Sequence, residues 1–159
     1  MALRLGDLLV AKGVLTAQQR DSVLEYQRLT GRPFGELAER LYGVDQGVIE
    51  LAWAEQYAAI APQVDPRTER VDDEALALID RRQAWQFRVL PLRFDDKEVM
   101  IATTQEHLAR ALRFAGWRIQ ASCYFVLAEP LALGEALMKH FPMAGMTAAN
   151  ISGRGLSVG

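Results

Sequence analysis

Few residues in this chain could do covalent or metal chemistry, and they do not gather. His107 and His140 lie far apart with no neighbouring ligand pattern, so no zinc spacing is present. Cys123 is the lone cysteine and sits in a strand-like pattern, which reads as a small core residue. Asp95 and Asp96 precede Lys97 between two apolar runs, the composition of a turn and not of a catalytic carboxylate pair. No Gly-x-x-x-x-Gly-Lys-Ser/Thr segment occurs, so a phosphate loop for nucleotide hydrolysis is not encoded. No nucleophile–base constellation is present either. These absences predict a non-enzymatic module with neither metal nor cofactor. What remains are groups suited to reversible contacts, and they recur: Gly6 and Gln27 return as Gly35 and Gln56, a shift of 29 residues.

The elements that carry them recur too. The segment from Arg4 to Gln27 is repeated from Pro33 to Gln56, with Asp7 falling on Glu36, Leu8 on Leu37, Leu15 on Val44 and Thr16 on Asp45. A duplication of this size is one supersecondary element used twice. Each copy reads as helix, turn, helix. In the first, Leu5, Leu8 and Leu9 have helical spacing, and Lys12-Gly13 closes the helix. Thr16 with Gln19 forms a capping-box pattern at the start of the next helix. That helix carries Arg20, Val23, Leu24 and Gln27 on one stripe and stops near Thr30-Gly31. In the second copy Asp45 is the cap, and Ile49, Ala52, Trp53 and Gln56 form the stripe. Four short amphipathic helices must bury their faces on one another, as a bundle with a pseudo-two-fold arrangement.

Beyond the repeat the pattern changes. Pro62 and Pro66 punctuate a connector, and Asp72-Asp73 caps a helix expected from about Glu74 to Gln83. The runs 88–94 and 98–103, joined by Asp95-Asp96-Lys97, predict a hairpin in which Pro91 suits an edge strand. A helix over 106–115 closed by Gly116, a strand over 118–127 and a helix over 129–141 complete the order. The fold class is α+β: an N-terminal four-helix repeat bundle, then a small α/β sandwich. The expected divisions are 1–58 for the duplicated helical subdomain, 59–70 for a linker, 71–141 for the α/β subdomain and 142–159 for a flexible tail. Trp53, Trp85 and Trp117 are expected in cores or subdomain contacts.

Composition narrows the partners. A formal net charge of -2 argues against a general nucleic-acid binder. One cysteine excludes an internal disulfide framework. No apolar run approaches the roughly 20 residues of a membrane helix, and Asp7 and Lys12 interrupt any signal-peptide core. The expectation is a cytoplasmic protein with no direct membrane insertion.

Residues 4 to 141 resemble the MshE-type N-terminal domain of type II secretion and type IV pilus assembly ATPases. The resemblance rests on the two motifs at their offset: the family pattern begins Arg-Leu-Gly and ends in Leu-x-x-Gln, which the first copy keeps and the second follows with substitutions. The Pro-containing connector and Val89-Leu-Pro-Leu92 leading into the hairpin add to it. It implies a regulatory module, in some members a cyclic di-GMP sensor whose two motifs surround the symmetric dinucleotide. In others it implies a docking module that anchors a secretion or pilus motor to an inner-membrane partner without nucleotide, so that the protein sits at the inner-membrane face through that partner. Carried onto this sequence, the ligand-binding positions are Arg4, Leu5, Gly6, Leu24 and Gln27 in the first copy. In the second they are Arg32, Phe34, Gly35, Ile49, Trp53 and Gln56. Arginine suits a phosphate or a base face, the aliphatics cover bases, glycine permits close approach, and the glutamine amide both donates and accepts.

Ordinary structural roles stand beside these. The glycines can serve helix packing, the glutamines can face water at helix ends, and the arginines can be solvated. The sequence also departs from the motif. Arg20 places a charge where the family has an aliphatic contact, and Pro33 replaces the leading arginine, for which Arg32 stands in one residue early. Tyr42 replaces the mid-motif glycine, and Trp53 replaces a leucine.

Overall fold

The computed structural model describes residues 4–152. They form two compact units, one running to Ile60 and the other starting at Ala61.

The first unit is all helix: α1 (Leu5–Ala11), α2 (Ala17–Thr30), α3 (Phe34–Tyr42) and α4 (Gln46–Ile60). Its helix ends follow the local chemistry of the sequence. Thr16 Oγ1 accepts from the Gln19 N–H at 3.0 Å while the Gln19 side-chain oxygen accepts from the Thr16 N–H at 2.9 Å, a closed capping box. Asp45 accepts from the Gly47 N–H at 2.9 Å and so starts α4. Gly31 and Gly43 end α2 and α3 with φ of 71° and 67°, a left-handed conformation that costs glycine little. The second copy therefore keeps its glycine stop, moved one residue past Tyr42, and α3 is longer than α1.

Packing within this unit is crossed. α1 lies against α4 and α2 against α3, and α1 also touches α3. Exchanging the two copies exchanges these pairs, which is the pseudo-two-fold relation the duplication predicts. The core follows the same rule. Leu8 and Leu37, Leu9 and Ala38, Leu15 and Val44, and Val23 and Ala52 are repeat-equivalent, and all are buried in one cluster. Phe34 is in that cluster and its equivalent Leu5 packs on its edge. The large-against-small pairing of Leu9 with Ala38 shows that total volume, not identity, is matched.

The second unit comprises α5 (Asp73–Leu76), α6 (Arg81–Phe87), β1 (Leu90–Asp95), β2 (Glu98–Thr103), α7 (Leu108–Arg118), β3 (Ser122–Leu127), α8 (Pro130–His140) and α9 (Ala149–Ser152). β1 pairs antiparallel with β2 and β2 parallel with β3, in the order β1-β2-β3. The parallel step needs a crossover, which α7 supplies. Pro91 sits on the edge strand, where its missing N–H is harmless, and the register slips between Pro91 and Arg93. The class is α+β, as the change of period from helical to alternating predicts.

Five local expectations are corrected. The single helix expected over 74–83 is two, because Asp80 and Gln83 form a second capping box and start α6 afresh. α7 runs through Gly116 to Arg118, since that glycine does not adopt the left-handed conformation that would stop it. The connector is not free chain: the Val64 N–H donates to Leu127 O at 2.8 Å, the Leu127 N–H donates to Pro62 O at 2.8 Å, and Arg67 pairs with Asp65 and Glu135. The expected tail is also folded as far as residue 152. Ala148 and Ile151 are buried and α9 packs on α8, where Gly134 leaves room for the Ala148 backbone. Residues 153–159 of that tail lie outside the described residues. Among the tryptophans only Trp85 is in a core, at 1% exposure, with its indole N–H donating to Phe141 O at 2.7 Å. Trp53 and Trp117 are exposed, so the core alternative of that expectation is not met for them.

Candidate functional site

The residues that the resemblance singles out divide into two groups. Gly6, Phe34 and Ile49 are buried. A Cβ on Gly6 would lie 2.9 Å from Phe34 Cζ and 3.0 Å from Arg20 Cγ, and one on Gly35 would lie 2.8 Å from Ile49 Cγ2. Each glycine thus lets its helix touch the residue at the same repeat position, Arg20 in one copy and Ile49 in the other. The close approach that glycine permits is used here by the protein's own side chains. Phe34 and Ile49 belong to the core and offer no open face.

This geometry explains how Arg20 occupies an aliphatic position. Its stem packs against Gly6, and its guanidinium turns outward to Asp7 Oδ1 at 3.1 Å and Asp21 Oδ1 at 3.1 Å. The charge is therefore paired at the surface while the methylenes fill the aliphatic site. The charge that the sequence places at an aliphatic position is thus not left without partners. Arg20→Leu should keep the packing and lose two ion pairs with exposed carboxylates, each worth about 0.2–1 kcal/mol. A stability loss of up to about 1 kcal/mol is the expected result in urea unfolding followed by circular dichroism. A clear gain would show that the ion pairs do not compensate the charge.

The second group stays at the surface. Leu24 and Trp53 are repeat-equivalent and are 43% and 46% exposed. One turn further on, Gln27 and Gln56 are half-buried on the same stripes of α2 and α4. The Gln27 side chain makes no hydrogen bond among the described residues. Arg4 is exposed at the start of α1 and has no ion pair among the described residues, whereas Arg32 is tied to Glu36 at 2.7 Å. Leu5 is half-buried against the core. Each copy therefore presents an apolar side chain and an amide in the same local arrangement: Leu24 with Gln27, and Trp53 with Gln56.

Sequence reasoning gave no role to Asp7 and Glu36, although they occupy the same repeat position. Both pair with an arginine, Asp7 with Arg20 and Glu36 with Arg32. Only the second pair, spaced i to i+4, carries a local signal. Among the described residues no group of three or more His, Cys, Asp or Glu could hold a metal ion, and no helix is long and apolar enough to cross a membrane.

No curated protein matches the sequence. Among solved structures, the chain is similar to a structure of MshE with cdg, at 24% identity and a TM-score of 0.48, covering 87% of this chain and 99% of that one. It is also similar to the N-terminal domain of XpsE, at 14% identity and a TM-score of 0.46, covering 89% and 99%. The MshEN domain matches residues 59–147. That span covers the last two residues of α4 and the second unit as far as residue 147, short of α9, so the repeat on which the sequence resemblance began lies outside it. It is nonetheless more than half of the sequence, and on this match the chain belongs to the MshEN domain family.

Proposed function

We infer that this is a non-catalytic regulatory module of a secretion or pilus ATPase whose duplicated helical unit binds cyclic di-GMP. The observation that carries the reading is the equivalence of Leu24-Gln27 and Trp53-Gln56, each an exposed apolar side chain beside a half-buried amide, on a crossed, pseudo-symmetric bundle. A ligand made of two identical halves is matched by a protein surface made of two similar ones. Leu24 and Trp53 would cover the bases, Gln27 and Gln56 would bond to them or to phosphate oxygens, and Arg4 would meet phosphate. Leu5, Gly6, Phe34, Gly35 and Ile49 would act beneath, by setting the spacing of the helices, and Arg32, paired with Glu36 at the surface, would stand in for the second copy's leading arginine.

Calorimetry of the purified chain with cyclic di-GMP tests this. Gln27→Ala and Gln56→Ala should each lower affinity about two- to tenfold, the worth of a hydrogen bond of roughly 0.5–1.5 kcal/mol. Wild type that stays silent at high micromolar ligand while folded would end the nucleotide reading.

A second reading is favoured by a different observation. Leu29, Leu51 and Ile60 are 69%, 64% and 68% exposed on the same unit, apolar surface of the kind that protein partners cover. On that reading the module docks a motor onto a protein of the secretion or pilus machinery, without nucleotide.

A further inference from the structure

The second unit holds a cluster of positive charge that the repeat does not explain. A cleft of about 390 Å³ is lined by Arg82, Trp85, Arg88, Arg110, Met143 and Met146. That volume lies within the range of small-molecule sites. Among the described residues, Arg82, Arg88 and Arg110 form no ion pair with a carboxylate.

Two of the three are nevertheless held in place, and by neutral partners. Arg88 Nη1 donates to Trp85 O at 2.8 Å and to Gln86 O at 3.3 Å, and its Nη2 donates to Asn150 O at 3.4 Å. Arg110 lies over the Phe87 ring, 5.2 Å from its centroid, a cation–π contact. Phe87 is itself stacked on Phe114 at 4.2 Å. Carbonyls and rings orient a guanidinium without cancelling its charge.

The backbone at Arg88 is unusual as well. It closes α6 with φ of 53° and ψ of 53°, where glycine would adopt the left-handed conformation with less strain. Strained positions of this kind cluster at ligand sites. Burial and then the charge of Arg110 hold the Arg88 pKa below its ordinary value, against the smaller pull of Glu106.

We propose that this cleft binds the phosphate group of a small molecule, with Arg88 and Arg110 as pre-oriented cations and Arg82 as a third that closes on the ligand. Three guanidiniums in one cleft call for a dianion more than for a single carboxylate; Arg88, whose N–H groups are largely given to carbonyls, supplies mainly charge, while the forks of Arg110 and Arg82 can meet phosphate oxygens in pairs. The ligand would also supply the counter-charge that the fold leaves out.

The test is a titration of the whole chain, labelled with nitrogen-15, with inorganic phosphate, acetate and chloride at matched ionic strength. The expected result is saturable movement of Arg88, Arg110 and α6 resonances with phosphate at millimolar concentration, and only weak linear drift with acetate and chloride. Arg110→Gln and Arg82→Gln avoid the structural role of Arg88 and should remain folded by circular dichroism. Arg110→Gln should weaken phosphate about tenfold or more, the worth of a charge-assisted hydrogen bond, and Arg82→Gln should also weaken it. Equal responses to phosphate and chloride would overturn the proposal, as would unchanged phosphate affinity in both variants. Acetate binding as tightly as phosphate would overturn the assignment to a phosphate group.

Discussion

Trp53→Ala is expected to lower the affinity for cyclic di-GMP by about 5- to 150-fold, because stacking of a base on an aromatic ring is worth about 1–3 kcal/mol. The fold should survive the change. Trp53 is 46% exposed and is not part of the cluster that closes the helical bundle, so the stability loss should stay near or below 1 kcal/mol. Trp53→Phe keeps a ring and should recover most of the affinity. Leu24→Ala, at the equivalent position, removes only aliphatic cover and should cost less. Calorimetric titrations of the four proteins under one salt condition give the comparison. If Trp53→Ala binds as well as wild type, the ring is not a base platform, and its exposure belongs to a protein contact instead.

Gly134→Ala should destabilise the second unit, by about 1–3 kcal/mol through overpacking. In an ordinary exposed helix this change would help, since alanine exceeds glycine in helix propensity by about 0.8–1.0 kcal/mol. Here a Cβ would lie 2.6 Å from Ala148 Cα and 2.8 Å from Ala148 O, and backbone atoms cannot rotate away as a side-chain tip can. Relief requires α9 to move off α8. The measurable result is a melting temperature lower by several degrees, about 4–8 °C per kcal/mol for a unit of this size. Faster amide exchange at Ile151, whose N–H donates to Ala148 O, should accompany it. A raised melting temperature would mean that residues 143–152 do not hold to α8 in solution.

The sequence alone carried the fold class, the duplication and the helix caps, because these depend on residues close along the chain. Thr16 with Gln19, Asp45 and the glycine at 31 act within a turn or two, and their geometry is the one their spacing implies, whereas the stop at Gly43 emerged only in the structure. The hairpin at Asp95-Asp96 and the edge position of Pro91 are legible for the same reason. Where two local signals competed, the nearer one won: the box of Asp80 and Gln83 divided a stretch whose apolar content suggested one helix.

Tertiary structure decided which of the repeated residues are available. At several repeat positions the sequence offers two apolar side chains, and only packing assigns them to core or surface. Phe34 and Ile49 went inside, while Trp53, the largest apolar residue of its copy, stayed out. Arg20 shows the reason most clearly. Its type predicts a penalty at an aliphatic position, but Gly6 leaves a groove for its methylenes, and Asp7 and Asp21 stand where its head emerges. Asp21 is its sequence neighbour and Asp7 belongs to the preceding helix, so that pairing exists only once α1 and α2 are folded together. The same holds for the arginine cleft, which gathers Arg82, Arg88 and Arg110 from α6 and α7. Separations along the chain say nothing of such meetings, since they are set by how volumes fill and where charged ends can reach water or a partner.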